Sequence, residues 1–264
     1  MSKLKIVGPL YSTVYQSVLD SFSTVPSTED ATAQNAFVST LVDGGVWSEL
    51  DRLFILASHA SGTDSLLDWI HPTILENIAS LVDSPTFTEK QGYLSNGTTS
   101  YINSNFNPTT KGVNYTQHNA SLGFYCRTNI DEDFWDLGCY ATNVSSRISS
   151  YRYSAQSNQV NGSNSFTSVV TNSLGFASTE LTSATQNPPN AYKNGIFINA
   201  GAPKDTYLPN LDLYILCINS NGSPLYICNK QISMVYFGGK LGSTKQLILY
   251  NAFQTLMTYY GTQV

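Results

Sequence analysis

The first 45 residues have the spacing of apolar side chains that two amphipathic helices produce. Apolar residues recur three or four positions apart along one helix face, at Tyr11, Val14, Tyr15, Val18, Leu19 and Phe22. A second helix is predicted to start at the N-cap Ser27, with Asp30 in the capping-box position, and to stop at Gly44. Two such helices bury too little apolar surface to be stable alone. We therefore expect them to pack on the rest of the chain or on another subunit.

Beyond residue 90 the apolar positions alternate, as they do in β-strands. Residues 91–95 and 98–103 flank Asn96-Gly97, the dipeptide most typical of a two-residue type I′ turn, and predict a β-hairpin. Residues 121–128 alternate in the same way and predict a further strand. Additional strands are predicted over residues 134–141, 211–218, 225–228 and 232–237, and residues 192–198 predict a turn followed by a strand.

The second half of the chain also contains a long polar stretch and a closing helix. Residues 142–190 have few apolar side chains and predict short strands joined by exposed loops. In the closing helix, Ser243 and Gln246 are predicted to form a capping box, and Gly261 to end the helix. The buried stripe of this helix is predicted to be Leu249, Phe253, Leu256 and Tyr260.

These elements together predict a mainly β fold. Short strands with turn signals about every 8–12 residues are what two packed antiparallel sheets require. We therefore predict a two-sheet antiparallel jelly-roll sandwich with N-terminal helices and a C-terminal helix. We divide the chain into a helical segment at residues 1–45, for anchoring or assembly, and a β-sandwich at residues 46–264.

Composition and charge exclude some partners. Charged residues make up 12% of the chain, about half the usual fraction. The net charge is -5 and the 13 basic residues do not cluster, so we do not expect nucleic acid as a partner. Residues 1–10 contain too short an apolar run for a signal peptide, and no stretch approaches the roughly 20 apolar residues of a membrane span. We therefore expect folding in a cytoplasm and no membrane span.

The four cysteines leave one question open. None lies in a C-x-x-C pair, which disfavours a zinc site. Cys217 and Cys228 flank the turn at residues 219–224 and are placed to face each other across a hairpin. A disulfide there is one interpretation, whereas folding in a cytoplasm favours buried free thiols.

Several segments, in this order, resemble the laminin-G-like, concanavalin A-like lectin family. They are the hairpin at 92–102, the strand at 121–128, the segment Tyr192-Lys193-Asn194-Gly195-Ile196, and residues 231–241 with the helix that contains Tyr250-Asn251-Ala252. Residues 97–108 are similar to a subgroup common in phages, especially phages of Bacteroidetes-type hosts. The resemblance covers about residues 47–264 and implies a concanavalin A-like sandwich.

This resemblance implies a phage virion protein of the capsid, fibre or tail. Its partners would be other virion proteins, further copies of itself and a host-surface glycan, and its location would be the virion after folding in the host cytoplasm. A free carbohydrate-binding lectin is the alternative from another class. A glycoside hydrolase is the third hypothesis.

Candidate site residues follow from the side chains that glycan hydrolysis, calcium binding and sugar binding each require. Some family members hydrolyse glycans with an E-x-D-x-x-E strand motif, which is absent here, so we do not expect an enzyme. The acidic segment that includes Glu132 is interpreted as a solvated hairpin turn. A calcium site there is the alternative, formed by Asp131, Asp133 and Asp136, and no other cofactor is expected. Candidate carbohydrate-binding residues are Tyr151, Tyr153, Trp135, Asn103, Asn105 and Asn107.

Overall fold

The computed structural model of this chain describes residues 11–142, 144–162, 165–181, 188–202 and 207–264. Residues 1–10, to which the signal-peptide prediction applies, lie outside this part of the chain. Its helices are α1 (Thr13–Leu19), α2 (Thr28–Asp43), α3 (Thr63–Leu66), α4 (Pro108–Lys111) and α5 (Gly242–Tyr259), with 3-10 turns at Trp47–Glu49 and Leu75–Asn77.

The strands are short and span the chain from residue 50 to residue 238. In chain order they are β1 (Leu50–Phe54), β2 (Ser80–Val82), β3 (Thr86–Thr88), β4 (Gly92–Leu94), β5 (Tyr101–Asn103), β6 (Ser121–Cys126), β7 (Leu137–Ala141), β8 (Val144–Arg152), β9 (Ala155–Gly162), β10 (Phe166–Val169), β11 (Gly175–Leu181), β12 (Pro189–Lys193), β13 (Ile196–Ala200), β14 (Tyr214–Ile215), β15 (Ile218–Ser220), β16 (Ser223–Leu225) and β17 (Gln231–Gly238).

These strands form two sheets. The first sheet has the order β13-β12-β11-β6-β17-β4-β3, and β1 also pairs with β17. The second sheet has the order β10-β9-β8-β7-β14-β5-β2, with β15 paired to β7 and β16. All pairs are antiparallel except β15 with β7. The predicted two-sheet sandwich is therefore confirmed.

The two sheets enclose one hydrophobic core, to which β6 contributes from the centre of the first sheet. Leu122, Phe124 and Cys126 face this core, together with Leu137 and Ile148 from the second sheet. Every residue of β6 is buried, because its other face packs under helices. The predicted alternation along residues 121–128 therefore marks a strand that is covered on both sides.

A second hydrophobic cluster lies outside the first sheet, where α1, α2 and α5 cover it. Tyr15, Phe37 and Phe253 from these helices contact Trp69 and Tyr125 there. The N-terminal helices thus pack on their own chain, which is one of the two expected arrangements. The division at residue 45 stays a prediction. No helix in the described ranges has both the length and the apolar character needed to cross a membrane.

The helix ends confirm part of the capping prediction. Ser27 Oγ accepts a hydrogen bond from Asp30 N at 3.1 Å at the start of α2. The helix ends at Gly44, as predicted. The Asp30 carboxylate pairs with Lys90 Nζ at 2.9 Å, so it ties α2 to the loop before β4.

The predicted hairpin at Asn96-Gly97 is wrong. β4 pairs with β3 and β17 in the first sheet, whereas β5 pairs with β2 and β14 in the second, so this turn carries the chain between sheets. Asn96 Oδ1 accepts hydrogen bonds from the backbone N–H groups of Thr98, Thr99 and Ser100, which closes the turn without strand pairing. The dipeptide Asn194-Gly195 does form the predicted kind of hairpin turn, between β12 and β13.

The strands predicted within residues 142–190 are present, but the predicted exposure is largely wrong within the described residues, which exclude 143, 163–164 and 182–187. β8 and β9 form a long hairpin whose polar side chains are mostly buried. These side chains bond to one another, as in the 2.8 Å contact from Gln156 Nε2 to Asn158 Oδ1. The hydropathy of the sequence does not indicate such side-chain hydrogen bonds, because an amide side chain has the same hydropathy whether it is buried and hydrogen-bonded or exposed.

The cysteines are all buried free thiols, as folding in a cytoplasm predicts. Burial raises the pKa of Cys126 to about 11 and that of Cys139 to about 12. The predicted hairpin between Cys217 and Cys228 is present as β15 and β16, with Cys228 N donating to Leu216 O at 2.9 Å.

Candidate functional site

The outer face of the second sheet carries aromatic and basic side chains. Alternation along β7 and β8 places Tyr140 and Arg147 on this face, opposite to the core residues Cys139 and Ile148. The helical layer lies on the other side of the sandwich, over the first sheet. The sandwich therefore has one face covered by helices and another on which side chains of the strands form the surface.

Trp135 lies between two guanidinium groups on this face. Its ring centroid is 4.2 Å from Arg147 Cζ and 5.2 Å from Arg152 Cζ, distances typical of cation–π contact. Arg147 and Arg152 are five positions apart on β8 and would point to opposite faces of a regular strand. The register shifts between Ser149 and Arg152, and such a bulge re-aims the side chains beyond it.

Two tyrosines complete the cluster. Tyr140 is 36% exposed, with its ring centroid 5.1 Å from Arg147 Cζ, and Tyr153 is 67% exposed, with its centroid 4.8 Å from Arg152 Cζ. Tyr153 and Ser154 have φ values of 52° and 59°, so they form the two-residue turn between β8 and β9. We call these five residues the aromatic–arginine surface: the exposed Tyr140 and Tyr153, the partly exposed Arg147 and Arg152, and Trp135, whose buried ring lies against the two arginines.

Two of the predicted acidic residues hold the tip of this hairpin. Asp133 pairs with Arg152. A hydrogen bond from Tyr153, with a smaller effect of Arg152, lowers the pKa of Asp133. Asp131 Oδ2 accepts from Ser154 N at 2.9 Å and from Ser154 Oγ at 3.1 Å. Both carboxylates are exposed, as predicted for a solvated turn, but the predicted hairpin is wrong, because β6 and β7 on either side of the turn belong to different sheets.

Asp136, the third predicted metal ligand, is buried inside the sandwich. Its carboxylate accepts from Ser150 N at 2.7 Å and from Ser150 Oγ at 2.6 Å, and it lies 3.0 Å from Lys230 Nζ. Lys230 Nζ is also 3.7 Å from Glu132. Burial lowers the pKa of Lys230, whereas the opposite charge of Asp136 raises it, and the net result is a pKa above the ordinary value. Lys230 is therefore a charged ammonium group.

The three carboxylates proposed for calcium therefore have three different partners. Among the described residues, the group of possible metal ligands within 4.8 Å of one another is Glu132, Asp136 and Cys228. The Lys230 ammonium already supplies a positive charge to both of these carboxylates. Calcium binding by Asp131, Asp133 and Asp136 stays a prediction.

The other predicted sugar-binding residues are mostly engaged in local structure. The Tyr151 carbonyl lies 3.4 Å from Lys230 Nζ. Asn103 donates to Asp212 at 3.2 Å, Asn105 donates to the Ile78 carbonyl at 2.7 Å, and Asn107 caps α4 by accepting from Thr109 N at 3.0 Å. These three side chains stabilise the loop after β5, while Trp135 and Tyr153 belong to the aromatic–arginine surface.

Sequence reasoning missed Tyr140, Arg147 and Arg152. The signal was present, because Arg147 and Arg152 are two of only 13 basic residues and stand in an otherwise uncharged stretch. What could not be predicted is the bulge that places both arginines beside Trp135. Register shifts of this kind depend on the partner strand and leave no period in the sequence.

A polar cavity of about 740 Å³ lies at the start of α5, and sequence reasoning did not predict it. Glu180 and Tyr192 from the first sheet line it, together with Ser243 and Lys245 from the helix. Glu180 Oε2 accepts from the backbone N–H groups of Leu241 and Gly242, both at 3.0 Å. The predicted capping box is therefore wrong: α5 begins at Gly242, and the carboxylate of a distant strand binds its first N–H groups.

One buried amine has no hydrogen-bond partner within the described part of the chain. It is Lys193 Nζ on β12. Burial lowers the pKa of Lys193 from 10.5 to about 8. Below pH 8 the folded protein therefore carries an ammonium in an unfavourable place, a penalty that disappears as the pH rises toward 10.5.

We expect Lys193→Met to raise the free energy of unfolding at pH 7 by about 1–3 kcal/mol, since it removes this buried charge. The gain over the wild type should shrink as the pH rises from 8 to 10.5. Urea denaturation of both proteins at pH 7 and pH 10 measures the difference, and other titrating groups cancel in the comparison. A variant less stable than the wild type at pH 7 would contradict an unpaired ammonium.

Comparison with known proteins shows the fold but no family. No protein-family model matches the chain, and no curated protein matches it. Among solved structures it is similar to the Trypanosoma rangeli sialidase in complex with sialic acid, with 12% identity and a TM-score of 0.53 over 83% of this chain and 38% of that one. The binding domain of botulinum neurotoxin DC in complex with rat synaptotagmin II gives 13% identity and a TM-score of 0.52, over 79% and 52%.

The chain therefore shares a two-sheet β-sandwich fold with part of each of these structures. It spans well under two thirds of the length of either structure. The predicted sandwich is thus confirmed as a fold, whereas its membership of the concanavalin A-like lectin family stays a prediction. The laminin-G-like subgroup and its association with phages stay predictions.

Proposed function

We propose that this lectin-like sandwich is a glycan-binding module and that the aromatic–arginine surface is its binding site. The observation that carries the proposal is Tyr153, an aromatic ring that is 67% exposed at the tip of a hairpin turn. Sugars bind to proteins through an aromatic ring that packs on their C–H face and a few fixed polar groups. Arg147 and Arg152 are the polar groups beside the rings.

The hairpin tip is held in place before any ligand binds. Asp131 bonds to Ser154, and Asp133 pairs with Arg152 and accepts from Tyr153. A surface that is already ordered loses less conformational entropy when a ligand binds. This order supports a recognition role for the hairpin tip.

We propose a role in binding without catalysis or a metal cofactor. Retaining glycosidases need two carboxyl groups about 5–5.5 Å apart beside the sugar. Asp136 is buried with Lys230, and Asp133 is paired with Arg152. Chromatography of any bound glycan after long incubation tests this, because shorter products would show hydrolysis. Titration with EDTA tests the metal, because lost binding would require a cation.

We propose a phage particle as the setting, with the module displayed on capsid, fibre or tail and bound to other virion proteins. The resemblance of residues 97–108 to a phage subgroup supports this setting, as does the low charge of 12%. The sialidase was solved with sialic acid and the neurotoxin binding domain with rat synaptotagmin II, and binding to a sugar or to a protein fits a role in attachment. Mass spectrometry of purified virions distinguishes it from a free lectin, whose peptides would be absent.

Tyr153→Ala is expected to weaken glycan binding about 5- to 20-fold, because it removes the exposed ring. The ligand is first found on a glycan array, and affinity is then measured by calorimetry. Tyr259→Ala is the matched control, because Tyr259 is 47% exposed on α5, in the helical layer on the opposite side of the sandwich.

Both variants should keep the wild-type unfolding midpoint in urea, which separates lost binding from lost folding. Equal losses in the two variants would exclude this surface as the site. The absence of any glycan bound at millimolar concentration would exclude the proposed function.

A further inference from the structure

We infer that the aromatic–arginine surface selects acidic glycans, and that Arg147 binds the single carboxylate of a sugar acid. This inference rests on the proposed function and names its ligand class. The observation behind it is a half-buried guanidinium whose charge is unpaired. Among the described residues, no carboxylate lies within ion-pair distance of Arg147, whereas Arg152 pairs with Asp133 and Arg52 with Asp68.

The orientation of the Arg147 guanidinium is fixed on three sides. Its Nε donates to Gln159 Oε1 at 2.8 Å. The ring of Trp135 lies 4.2 Å from its Cζ, and that of Tyr140 lies 5.1 Å away. The two terminal nitrogen atoms make no hydrogen bond to the described residues. A planar guanidinium held in this way presents its donors in the geometry that binds a carboxylate with two parallel hydrogen bonds.

The surroundings make an anion favourable at this point. Burial lowers the pKa of Arg147, and the nearby Arg152 lowers it further. An unpaired charge that is partly removed from water is costly, so a carboxylate ligand would relieve this cost when it binds. The ordinary pKa of arginine is so high that Arg147 is still a cation at neutral pH.

The charge around the surface favours one carboxylate over a polyanion. Asp131 and Asp133 stand at the hairpin tip beside Tyr153, and the chain as a whole carries a net charge of -5. Repeated negative charges would be repelled there. A sugar acid can place its carboxylate on Arg147 and a neutral sugar ring on Tyr153. Nucleic acid and heavily sulfated glycans fit this distribution poorly.

The test uses matched glycans that differ only in the carboxyl group. Oligosaccharides that end in glucuronic acid or in sialic acid are compared with their carboxyl-reduced counterparts, on an array and then by calorimetry. The wild type should prefer the acids about 10- to 100-fold, the range that a charge-assisted bidentate contact provides. Raising the salt concentration from 50 to 500 mM should weaken binding of the acids and leave binding of the reduced forms unchanged.

Two variants assign the preference to Arg147. Arg147→Gln should remove the preference for acids, so that the acidic and the carboxyl-reduced forms bind with equal affinity, since the charged contact is lost. Arg147→Lys keeps the charge without the fork of donors and should retain a part of the preference. Urea denaturation checks that each variant folds. If Arg147→Gln does not fold, a preference for acids that is smaller in Arg147→Lys than in the wild type decides the test.

The possible outcomes separate this inference from the proposed function. Binding of neutral and acidic forms with equal affinity would overturn the inference and leave glycan binding in place. A preference for acids that is as large in Arg147→Gln and Arg147→Lys as in the wild type would overturn the role of Arg147. Failure of every glycan to bind would overturn the proposed function itself.

Discussion

Replacing Lys230 with methionine is expected to lower the free energy of unfolding by about 3–5 kcal/mol, because it leaves the Asp136 carboxylate buried without a counter-ion. Both side chains are fully buried, with Lys230 Nζ 3.0 Å from Asp136 Oδ1. Lys230 precedes β17 in the first sheet, and Asp136 precedes β7 in the second. Urea denaturation at pH 7 measures the change.

Two comparisons identify the cause of that loss. The double variant Lys230→Met with Asp136→Asn should recover a large part of the stability, because the amide is neutral and can still accept from Ser150. Lys245→Met should cost less than about 1 kcal/mol, since this lysine and its partner Glu49 are each 31% exposed. Equal losses at positions 230 and 245 would mean that burial of the pair has no energetic role.

Such a pair could not have been predicted from the sequence. Lys230 and Asp136 are 94 residues apart and belong to different sheets. Asp136 stands in an acidic segment that has the composition of an exposed turn, and its neighbours Asp131 and Asp133 are indeed exposed. Composition describes a segment, whereas burial is decided residue by residue by what packs on it.

The fold was easier to predict, because periodicity records which faces are buried. The apolar stripe on Val14, Val18 and their neighbours marked α1, and the alternation of residues 121–128 marked the central strand β6. Prediction from the sequence failed where side-chain hydrogen bonds, and not apolar contacts, hold a segment in place. Asn96 closes a connection between sheets with the same dipeptide that closes a hairpin at Asn194, and only the pairing of the flanking strands distinguishes them.

The residues of the candidate site were likewise only partly predictable from the sequence. Trp135 and Tyr153 were predicted because sugar recognition needs an aromatic platform, and the structure places both in the aromatic–arginine surface. Asn103, Asn105 and Asn107 were chosen for their polarity, yet their side chains stabilise a loop. A local sequence pattern cannot distinguish an amide that binds the backbone of its own loop from one that faces a ligand.

The start of α5 gives the second large effect. Glu180→Ala is expected to lower the free energy of unfolding by about 2–4 kcal/mol, since several buried donors lose their acceptor at once. The Glu180 carboxylate is 1% exposed and accepts from Leu241 N and Gly242 N at 3.0 Å, from Gln246 Nε2 at 3.1 Å and from Tyr192 Oη at 2.7 Å. Thermal and urea denaturation measure the loss.

Ser243→Ala is the control that decides between the two accounts of this helix start. In the structure the N-cap of α5 is Leu241, which makes no side-chain capping bond, so removal of the Ser243 hydroxyl should cost less than about 1 kcal/mol. Glu180→Gln should fall between the two alanine variants, because it keeps an acceptor oxygen and loses the charge that favours a helix N-terminus. A loss for Ser243→Ala as large as that for Glu180→Ala would instead support the capping box that the sequence predicted. The expected order of stability therefore identifies a carboxylate 61 residues before Leu241 as the group that fixes where α5 begins.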